Sequence, residues 1–425
     1  MSGPELPKSN AWSSGSVPEP ALARPPPARQ IPRKSRLKFL YPNPGLVNPG
    51  CGFRHRIALW AGTTGTPPMR TCLLSAFLAI LAFALPARAD MGIGGIARAG
   101  QTNLPLRIFG PNVDGTGAAS WEMSGPAMGT VDTMWVTYEP NERLLYLSDF
   151  YGRAIRVYPA FATGNVAPLR VINPPVLSQT RANAPVFAHD ELGVITTNCC
   201  IATYPLHGNG DAVSPVRTIL WGGGSNQTTQ LNSPGSLTYL PGTDEYAVID
   251  FEPGTNASRV IFHARTASGY TAPTRMMTGN GVAGGVAIAH DPRTHLLYVL
   301  GKTTLADLSL IGRVAVFPDT ASGAAVPLYT IAGGLTRLNR PAGHYFIGIG
   351  HDPYERRIMV SSSSASSNGA ADHRVIVFNE DAAYNAVPLR DFSGETLGPG
   401  YLGTPFGVPS WDVIYRNGFE PQFVD

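Results

Sequence analysis

Three histidine–aspartate pairs are the residues of this sequence that come closest to the ligand set of a reactive site. They are His189–Asp190, His290–Asp291 and His351–Asp352. Three imidazoles with three carboxylates would suffice for a divalent metal ion. Each pair falls in the turn between the first two strands of its own repeat unit, however, so we expect the units to hold the pairs farther apart than one ion spans. We therefore interpret each Asp as a turn residue that caps backbone N–H groups.

Two further acids, Asp149 and Asp250, lie at the end of the second strand of their units. We expect them to brace the turn that follows rather than to act as an acid or a base. The sequence contains no G-x-S-x-G, H-E-x-x-H or Walker-type motif. It therefore predicts no catalytic, cofactor-binding or metal-ligating residue. Whether the protein is an enzyme is left open, with a non-catalytic role favoured.

The adjacent cysteines Cys199 and Cys200 follow at some distance from Cys51 and Cys72. In an oxidising compartment the adjacent pair could form a vicinal disulfide, and two reduced thiols are the alternative. Metal binding is disfavoured because no His or Cys lies at ligand spacing from the pair.

The segment from Met69 to Ala89 has the pattern of a secretory signal peptide. A basic residue precedes an apolar run of about 13 residues, Leu73 to Leu85, and Ala87 and Ala89 supply the small residues of a cleavage site. The run is shorter than the roughly 20 residues of a transmembrane helix. An uncleaved anchor is the alternative. We expect a periplasmic or extracellular protein with no membrane span after the signal is removed.

Residues 1–68 are rich in Pro, Arg, Ser and Gly and have no hydrophobic periodicity. They predict either a disordered leader or a misassigned start, with Met69 as the true one. They carry nine Lys or Arg against two Glu, whereas residues 90–425 have a net charge of about −6. Because residues 90–425 are mildly acidic, they lack the positive charge typical of a nucleic-acid-binding protein.

A strand-like phrase built around a proline recurs six times, with the prolines 47 to 63 residues apart. A second recurring strand, such as RVAVFP from Arg313, precedes the later copies, and two further strands joined by a polar turn precede that one. Four short strands cannot bury their own apolar faces, so the units must stack around an axis. The prolines of the phrase are Pro105, Pro168, Pro215, Pro273, Pro327 and Pro388.

These units resemble the NHL-type propeller repeat. VAIAHDPRTHLLYVL followed by GRVAVFP, and LLYLSDFYGRAIRVYP, carry its pattern within residues 104–415. The resemblance implies a β-propeller. It implies little about function, because that family includes binding platforms and, more distantly, hydrolases and lyases.

The two ends of the repeat region predict how the ring closes. Five complete units run from about Gly110 to Phe392, the segment 404–415 supplies inner strands only, and the first proline phrase, 104–109, reads as an outer strand without inner ones. Pairing the N-terminal strand, about 104–109, with the C-terminal blade completes a sixth blade. We therefore predict an all-β, six-bladed β-propeller over residues 90–425.

For the function, the sequence favours a secreted, monomeric, non-catalytic platform that binds a protein, peptide or glycan and needs no cofactor. The alternatives are a metal-dependent hydrolase, lactonase or lyase, the one case that calls for a divalent metal, and a structural component of the cell envelope. Aromatic residues at blade turns are candidates for a binding face, although core packing is their commoner fate. They are Trp121, Trp135, Trp221, Tyr151, Tyr345 and Tyr401.

N-terminal sequencing of the protein purified from its native host tests the export prediction. We expect the mature chain to begin at Asp90, because cleavage follows the second small residue of the A-x-A pattern. Recovery of any peptide from before Met69 in the mature protein would contradict this reading.

Overall fold

The computed structural model describes residues 89–96, 104–131, 135–174, 177, 182–196, 200–220, 228–251, 257–364, 373–394, 397 and 401–409. All of them belong to one compact unit, Ser75–Asp425. That part of the chain is built almost entirely of β-strands, with two single-turn 3-10 helices, Pro126–Met128 and Gly334–Thr336. None of the described helices is both long and apolar enough to span a membrane.

Six antiparallel sheets of four strands form the blades, numbered here from the innermost strand outward. Blade 1 contains β5 (Trp135–Glu139), β6 (Leu144–Asp149), β7 (Ala154–Pro159) and β8 (Arg170–Ile172). Blade 2 contains β9 (Ala182–Ala188), β10 (Glu191–Thr196), β11 (Cys200–Pro205) and β12 (Arg217–Leu220). Blade 3 contains β13 (Pro234–Leu240), β14 (Glu245–Phe251), β15 (Ser258–Ala264) and β16 (Arg275–Met277).

Blade 4 contains β17 (Gly285–Asp291), β18 (Leu296–Thr304), β19 (Leu310–Pro318) and β20 (Tyr329–Ala332). Blade 5 contains β21 (His344–Asp352), β22 (Arg357–Ser364), β23 (Arg374–Asn379) and β24 (Arg390–Ser393). Blade 6 contains β26 (Phe406–Pro409), β1 (Ala89–Ile93), β3 (Leu106–Phe109) and β4 (Trp121–Met123). A small additional sheet pairs β2 (Gly95–Ile96) with β25 (Tyr401–Leu402).

The blades form a closed ring because each inner strand lies against the inner strand of the next blade, and β26 lies against both β21 and β5. The hydrophobic clusters are shared in the same way. One joins Val136 and Leu145 of blade 1 to Phe406 and Val408 of blade 6, and another joins blades 4 and 5. The core therefore lies between blades rather than within them. The predicted six-bladed β-propeller is confirmed.

The predicted closure is also confirmed, because the N-terminal strand shares a blade with the C-terminal one. The order of strands within that blade differs from the expectation. β1 lies between them and pairs with β26 on one side, Asp90 opposite Val408, and with β3 on the other, Gly92 opposite Ile108. The strand Leu106–Phe109 is therefore third rather than outermost, and Trp121–Met123 is the outer strand. The reason is that the outer strand of this blade lacks the proline phrase used to recognise it.

In blades 1 to 5 the proline phrase forms the outermost strand. Its proline, which has no N–H to donate, lies just before the strand, and the next residue resumes pairing, as when Leu169 N donates to Val157 O at 2.8 Å. The arginine of the phrase reaches back across the blade. The Arg275 guanidinium lies 3.6 Å from the centre of the Phe262 ring and donates to Glu245. The phrase therefore ends blades 1 to 5 with a short edge strand, and in blades 1 to 3 its arginine also forms an ion pair within the blade.

The two faces of the ring differ in the regularity of their connections. One face, here the turn face, carries the links between strands 1 and 2 and between strands 3 and 4. The 3–4 links all have ten or eleven residues, from 160–169 in blade 1 to 380–389 in blade 5 and 110–120 in blade 6. The opposite face, here the loop face, carries the 2–3 and 4–1 links. The 2–3 links range from three residues (197–199) to twelve (94–105), and the 4–1 links from seven (278–284) to thirteen (221–233).

Replacement of Gly350 by Ala tests the close approach of blade 5 to the closing strand. A Cβ at Gly350 would overlap the carbonyl oxygen of Pro405, which is backbone and cannot rotate away. We expect a loss of about 1–3 kcal/mol in the free energy of unfolding, measured by urea denaturation. Gly334→Ala is the control, because no atom lies within 4 Å of its added Cβ. Equal stability of the two variants would contradict the close contact between Gly350 and the Pro405 carbonyl.

Candidate functional site

The inner strands enclose a central channel of about 270 Å³. Its lining is aromatic, aliphatic and hydroxyl-bearing, with two imidazoles, and the described lining residues include no Asp or Glu. Such a lining holds solvent or a small ligand but offers no paired carboxylates for acid–base chemistry. The residues with the largest side chains along it are Trp135, Phe187, Tyr239, His290, His351 and Phe406.

A charged cluster lies beside the channel, between blades 4 and 5. Asp291 ends the inner strand of blade 4, His351 lies near the end of the inner strand of blade 5, and Glu380 follows the third strand of blade 5. His351 Nε2 is 3.7 Å from Asp291 Oδ2 and 3.6 Å from Glu380 Oε2. All three side chains are buried. The expectation that the ring separates the His–Asp pairs is thus wrong for these neighbouring blades, because their inner strands lie side by side.

Two arginines balance this cluster. Arg293 Nη2 lies 3.2 Å from Asp291 Oδ2 and 2.6 Å from Glu380 Oε2, and Arg356 Nε donates to Glu380 Oε1 at 2.5 Å. Burial alone would raise the pKa of Glu380, but the hydrogen bonds from Arg356 and Arg293 bring that pKa below its usual value. Burial lowers the pKa of His351, against the attraction of the two carboxylates. The cluster therefore contains two ionised carboxylates facing a neutral imidazole.

Blade 4 carries a similar arrangement around Asp319, the residue that follows its third strand. His290 Nε2 and His295 Nδ1 lie 3.2 Å and 3.1 Å from the same oxygen, Asp319 Oδ2. Burial lowers the pKa of His290, although hydrogen bonding to Asp319 opposes the shift. Here the imidazole nitrogen that faces the carboxylate is already used in a hydrogen bond.

The third pair, His189–Asp190, is placed differently from the other two. The strand register aligns Phe187 of blade 2, not His189, with His290 and His351. His189 forms part of a two-residue turn with φ 58°, and its side chain is 61% exposed. Its Nε2 lies 3.1 Å from the hydroxyl of Tyr239 in blade 3. This shorter turn breaks the repeat that the sequence pattern suggests.

The turn acids make backbone contacts of the kind expected of them. Asp291 Oδ1 accepts from Arg293 N at 3.0 Å, and Asp352 Oδ1 accepts from Tyr354 N at 2.9 Å. Burial raises the pKa of Asp352 to about 6, although the backbone N–H groups of Tyr354 and Glu355 favour its ionised form. That the turn residues have no other role stays a prediction.

Asp149 and Asp250, at the ends of second strands, are fully buried and tie down the approach to the first strand of their own blade. Asp149 accepts from Val131 N at 3.2 Å, and Asp250 accepts from Asn232 N at 2.9 Å and Ser233 N at 2.8 Å. Arginines of the third strand, Arg156 and Arg259, pair with them. These two acids therefore anchor the loop face.

Cys200 is fully buried and disulfide-bonded. Its N–H donates to Thr196 Oγ1 at 3.1 Å, and that hydroxyl donates to the Cys200 carbonyl at 3.0 Å. Cys199 lies outside the described residues, as does Trp221. The vicinal disulfide between Cys199 and Cys200 therefore stays a prediction.

Aromatic and aliphatic side chains mark the loop face at two places. In blade 1, Trp135, Phe150 and Tyr151 form a chain of edge-to-face contacts at 5.6 and 5.3 Å that runs from the channel to solvent. Across the ring, the 2–3 hairpin of blade 4 and the adjacent start of β21 expose four large side chains, here the loop-face patch: Leu305, Leu308, Ile311 and Tyr345.

Tyr345 was among the sequence candidates for a binding face, whereas the three aliphatic residues were not. Their signal is the apolar LADLSLIG stretch from Leu305, which reads from sequence as ordinary strand. Of the other candidates, Trp121 packs against Phe161 and Tyr401 lies half-buried in the small additional sheet.

Comparison with known proteins adds no functional assignment. No family model and no curated protein matches the chain, so the NHL-type resemblance stays a prediction. Solved structures that resemble it include a chain of the nidogen–laminin complex, with 10% identity, TM-score 0.49 and coverage of 75% of this chain and 98% of that one. Another is the β-propeller domain of Myceliophteria thermophila Cps50 (Swd1), with 9% identity, TM-score 0.41 and coverage of 72% and 84%. A chain of the mitotic checkpoint complex has 13% identity, TM-score 0.39 and coverage of 80% and 89%.

Buried His263 predicts how the stability of the protein depends on pH. This side chain of β15 is fully buried and its Nε2 donates to Thr229 O at 3.1 Å. Burial lowers its pKa from 6.5 to about 4. The unfolded chain therefore takes up a proton below pH 6.5 that the folded chain accepts only near pH 4, so the contribution of neutral His263 is complete above pH 6.5 and is lost as the pH falls.

We expect His263 to account for a loss of about 3 kcal/mol in unfolding free energy between pH 6.5 and pH 4. His263→Phe should be less stable than the native protein at pH 7 and should lose less stability on acidification. Denaturant unfolding across this pH range measures both. His189→Asn, at an exposed histidine, should keep the native pH slope. A native slope in His263→Phe would show that other groups control the acid sensitivity.

Proposed function

We propose that this protein is an exported, non-catalytic binding platform that holds a protein or peptide partner on its loop face. The observation that carries the proposal is the contrast between the two faces of the ring. The 3–4 links of the turn face have ten or eleven residues in every blade, whereas the links of the loop face vary from three to thirteen residues. The loop face also exposes the loop-face patch. Variable segments on a rigid scaffold are where binding residues concentrate.

Ion pairs between neighbouring blades hold the turn face. Arg265 of blade 3 reaches Glu191 of blade 2 at 3.0 Å, and Arg293 of blade 4 reaches Glu380 of blade 5 at 2.6 Å. A face committed to contacts between its own blades has fewer polar groups to offer a partner. The scaffold role thus belongs to the turn face and leaves the loop face available.

The chemistry of the loop-face patch favours a protein or peptide over a glycan. Leu305, Leu308 and Ile311 are aliphatic and exposed, and such side chains gain most from burial against another apolar surface. Their hairpin is pre-organised, since Leu305 N donates to Ser309 O at 2.9 Å and Leu310 exchanges two backbone bonds of 2.8 Å with Arg340. A rigid patch loses little entropy on binding. A glycan is the other ligand class considered for the platform, and the aromatic chain that ends at Tyr151 supports it.

Export to the periplasm or the cell exterior is part of the proposal. Cleavage after Ala89 would leave four of the five residues of β1, Asp90 to Ile93, to pair on both sides in blade 6. Removal of the signal peptide is therefore compatible with ring closure.

The enzymatic alternative, a metal-dependent hydrolase, lactonase or lyase, would place several acids, Asn or His on the channel axis. Among the described channel-lining residues only His290 and His351 are of these types, so we rank this alternative second. A structural cell-envelope component would instead sediment with envelope fragments and have no soluble partner.

Substitution of the loop-face patch tests the proposed function. Tagged native protein and Leu308→Asp are crosslinked in the producing cells and purified from the periplasmic and secreted fractions. We expect one partner to be enriched by the native protein and its recovery to fall about tenfold or more in Leu308→Asp, since a buried charge costs an interface several kcal/mol.

The matched control is Leu328→Asp, which replaces a leucine that is 56% exposed, against 66% for Leu308, where a 3–4 link of the turn face meets the outer strand. It should retain the partner. The proposal is refuted if both variants lose the partner equally. It is also refuted if the native protein sediments with the cell envelope and enriches no partner over the tag alone.

A further inference from the structure

The geometry of the Asp291–His351–Glu380 cluster points to a further site, and we propose that these three residues bind one divalent transition-metal ion of the Zn²⁺ type between blades 4 and 5. In the absence of the ion, the guanidinium of Arg293 occupies the same position. This site lies on the turn-face side of the ring, so the proposal stands independently of the partner proposed for the loop face.

The ligand atoms have the spacing that a metal needs. His351 Nε2 lies 3.7 Å from Asp291 Oδ2 and 3.6 Å from Glu380 Oε2, and one ligand atom from each residue falls within 4.8 Å of the other two. Metal–ligand bonds of about 2.0–2.1 Å in a tetrahedral site place the ligand atoms about 3.4 Å apart. Small side-chain rotations would bring all three onto one ion.

The second observation is the state of the His351 nitrogen. Nε2 is buried in a side chain that is only 5% exposed, and it has no hydrogen-bond partner. A buried polar atom without a partner is uncommon and calls for an explanation. Parallel stacking on the Tyr298 ring, with the centroids 5.9 Å apart and 14° between the planes, supports the orientation of the imidazole. This nitrogen therefore faces two carboxylate oxygens, at 3.6 and 3.7 Å, that lie just beyond hydrogen-bond distance.

Hydrogen bonds around the carboxylates orient the ligand oxygens. Asp291 Oδ1 accepts from the Arg293 backbone N–H at 3.0 Å, and Glu380 Oε1 accepts from Arg356 Nε at 2.5 Å. Asp291 Oδ2 and Glu380 Oε2 are thereby turned towards His351. Donors of this kind, held on the far side of the ligand groups, are what orient ligands in metal sites.

Arg293 is the group that the ion must displace. Its Nη2 bridges Asp291 Oδ2 and Glu380 Oε2, yet its side chain is 45% exposed and rises from a surface turn. The two carboxylates stay buried and need a positive counter-charge, which either the solvent-accessible guanidinium or a metal ion supplies. The metal and the guanidinium are thus alternative occupants of one anionic position.

The equivalent histidine of blade 4 provides a matched control. His290 occupies the same strand position as His351, but its Nε2 already lies 3.2 Å from Asp319 Oδ2 in a hydrogen bond. We therefore expect only the blade 5 histidine to bind the metal.

The test is calorimetric titration of the metal-stripped full-length protein with Zn²⁺ at pH 7.5, for the native chain and four variants. We expect one ion per chain, loss of this binding in His351→Phe and in Glu380→Gln, and unchanged binding in His290→Phe. Arg293→Gln should tighten binding about tenfold, because it removes the competing cation and keeps the turn. His351→Phe keeps the stacking on Tyr298, and thermal unfolding checks that each variant is folded.

Titration with Co²⁺ gives an independent readout, since four-coordinate Co²⁺ has intense visible absorption bands that should appear with the native chain and disappear with His351→Phe. The proposal fails if the native chain binds no stoichiometric ion, if His351→Phe and Glu380→Gln bind as tightly as the native chain, or if His290→Phe abolishes binding. Binding that appears only in Arg293→Gln would also overturn it, because the cluster would then be a permanent ion-pair network in the native chain.

Discussion

The structure depends on one constraint, which is that a four-stranded blade can cover its apolar faces only with the blades beside it. The hydrophobic clusters all draw on neighbouring blades, and the one that holds the ring shut joins Phe406 and Val408 to Val136 and Leu145. An open ring would expose two apolar sheet faces at once. Closure must therefore use both ends of the chain, with β1 paired to β26 and β3 in one sheet.

The same constraint separates the two faces. On the turn face, each 3–4 link bonds to the outer strand of the preceding blade, as Gly164 does to Met123 and Gly269 to Ile219. These links contribute to the packing between blades, and their uniform length follows from that task. Loop-face links carry no such repeated bridge among the described residues, so they can differ in length and sequence without loosening the ring. The ring architecture therefore assigns the packing between blades to the turn-face links and leaves the loop-face links free to vary.

The sequence was sufficient to predict the strands, the number of blades and the closure, because alternating apolar residues and turn residues act locally. It was insufficient where contacts depend on how two units sit against each other. The phrase at Pro105 resembles an outer strand, yet the pairing of β1 makes it the approach to a third strand. Likewise, His189–Asp190 has the same sequence as the other two pairs. Its two-residue turn shifts the strand register, however, so that Phe187 takes the position of His290 and His351. The contact between Asp291 and His351 depends on how the inner strands of blades 4 and 5 pack side by side. The sequence of a single repeat carries no information about that packing.

One strand position shows how a repeated scaffold acquires different chemistry in each blade. Near the turn-face end of the inner strand, blades 1 to 5 present in turn Tyr138, Phe187, Tyr239, His290 and His351. The backbone places each side chain in the same way, so the groups that meet it decide what it does. Tyr239 donates to Asp244, and His290 faces Asp319. Only at His351 do carboxylates from two blades converge on one ring nitrogen, because Asp291 and Glu380 approach it from opposite sides of the interface. Chemistry in this fold therefore arises between repeats rather than within any one of them.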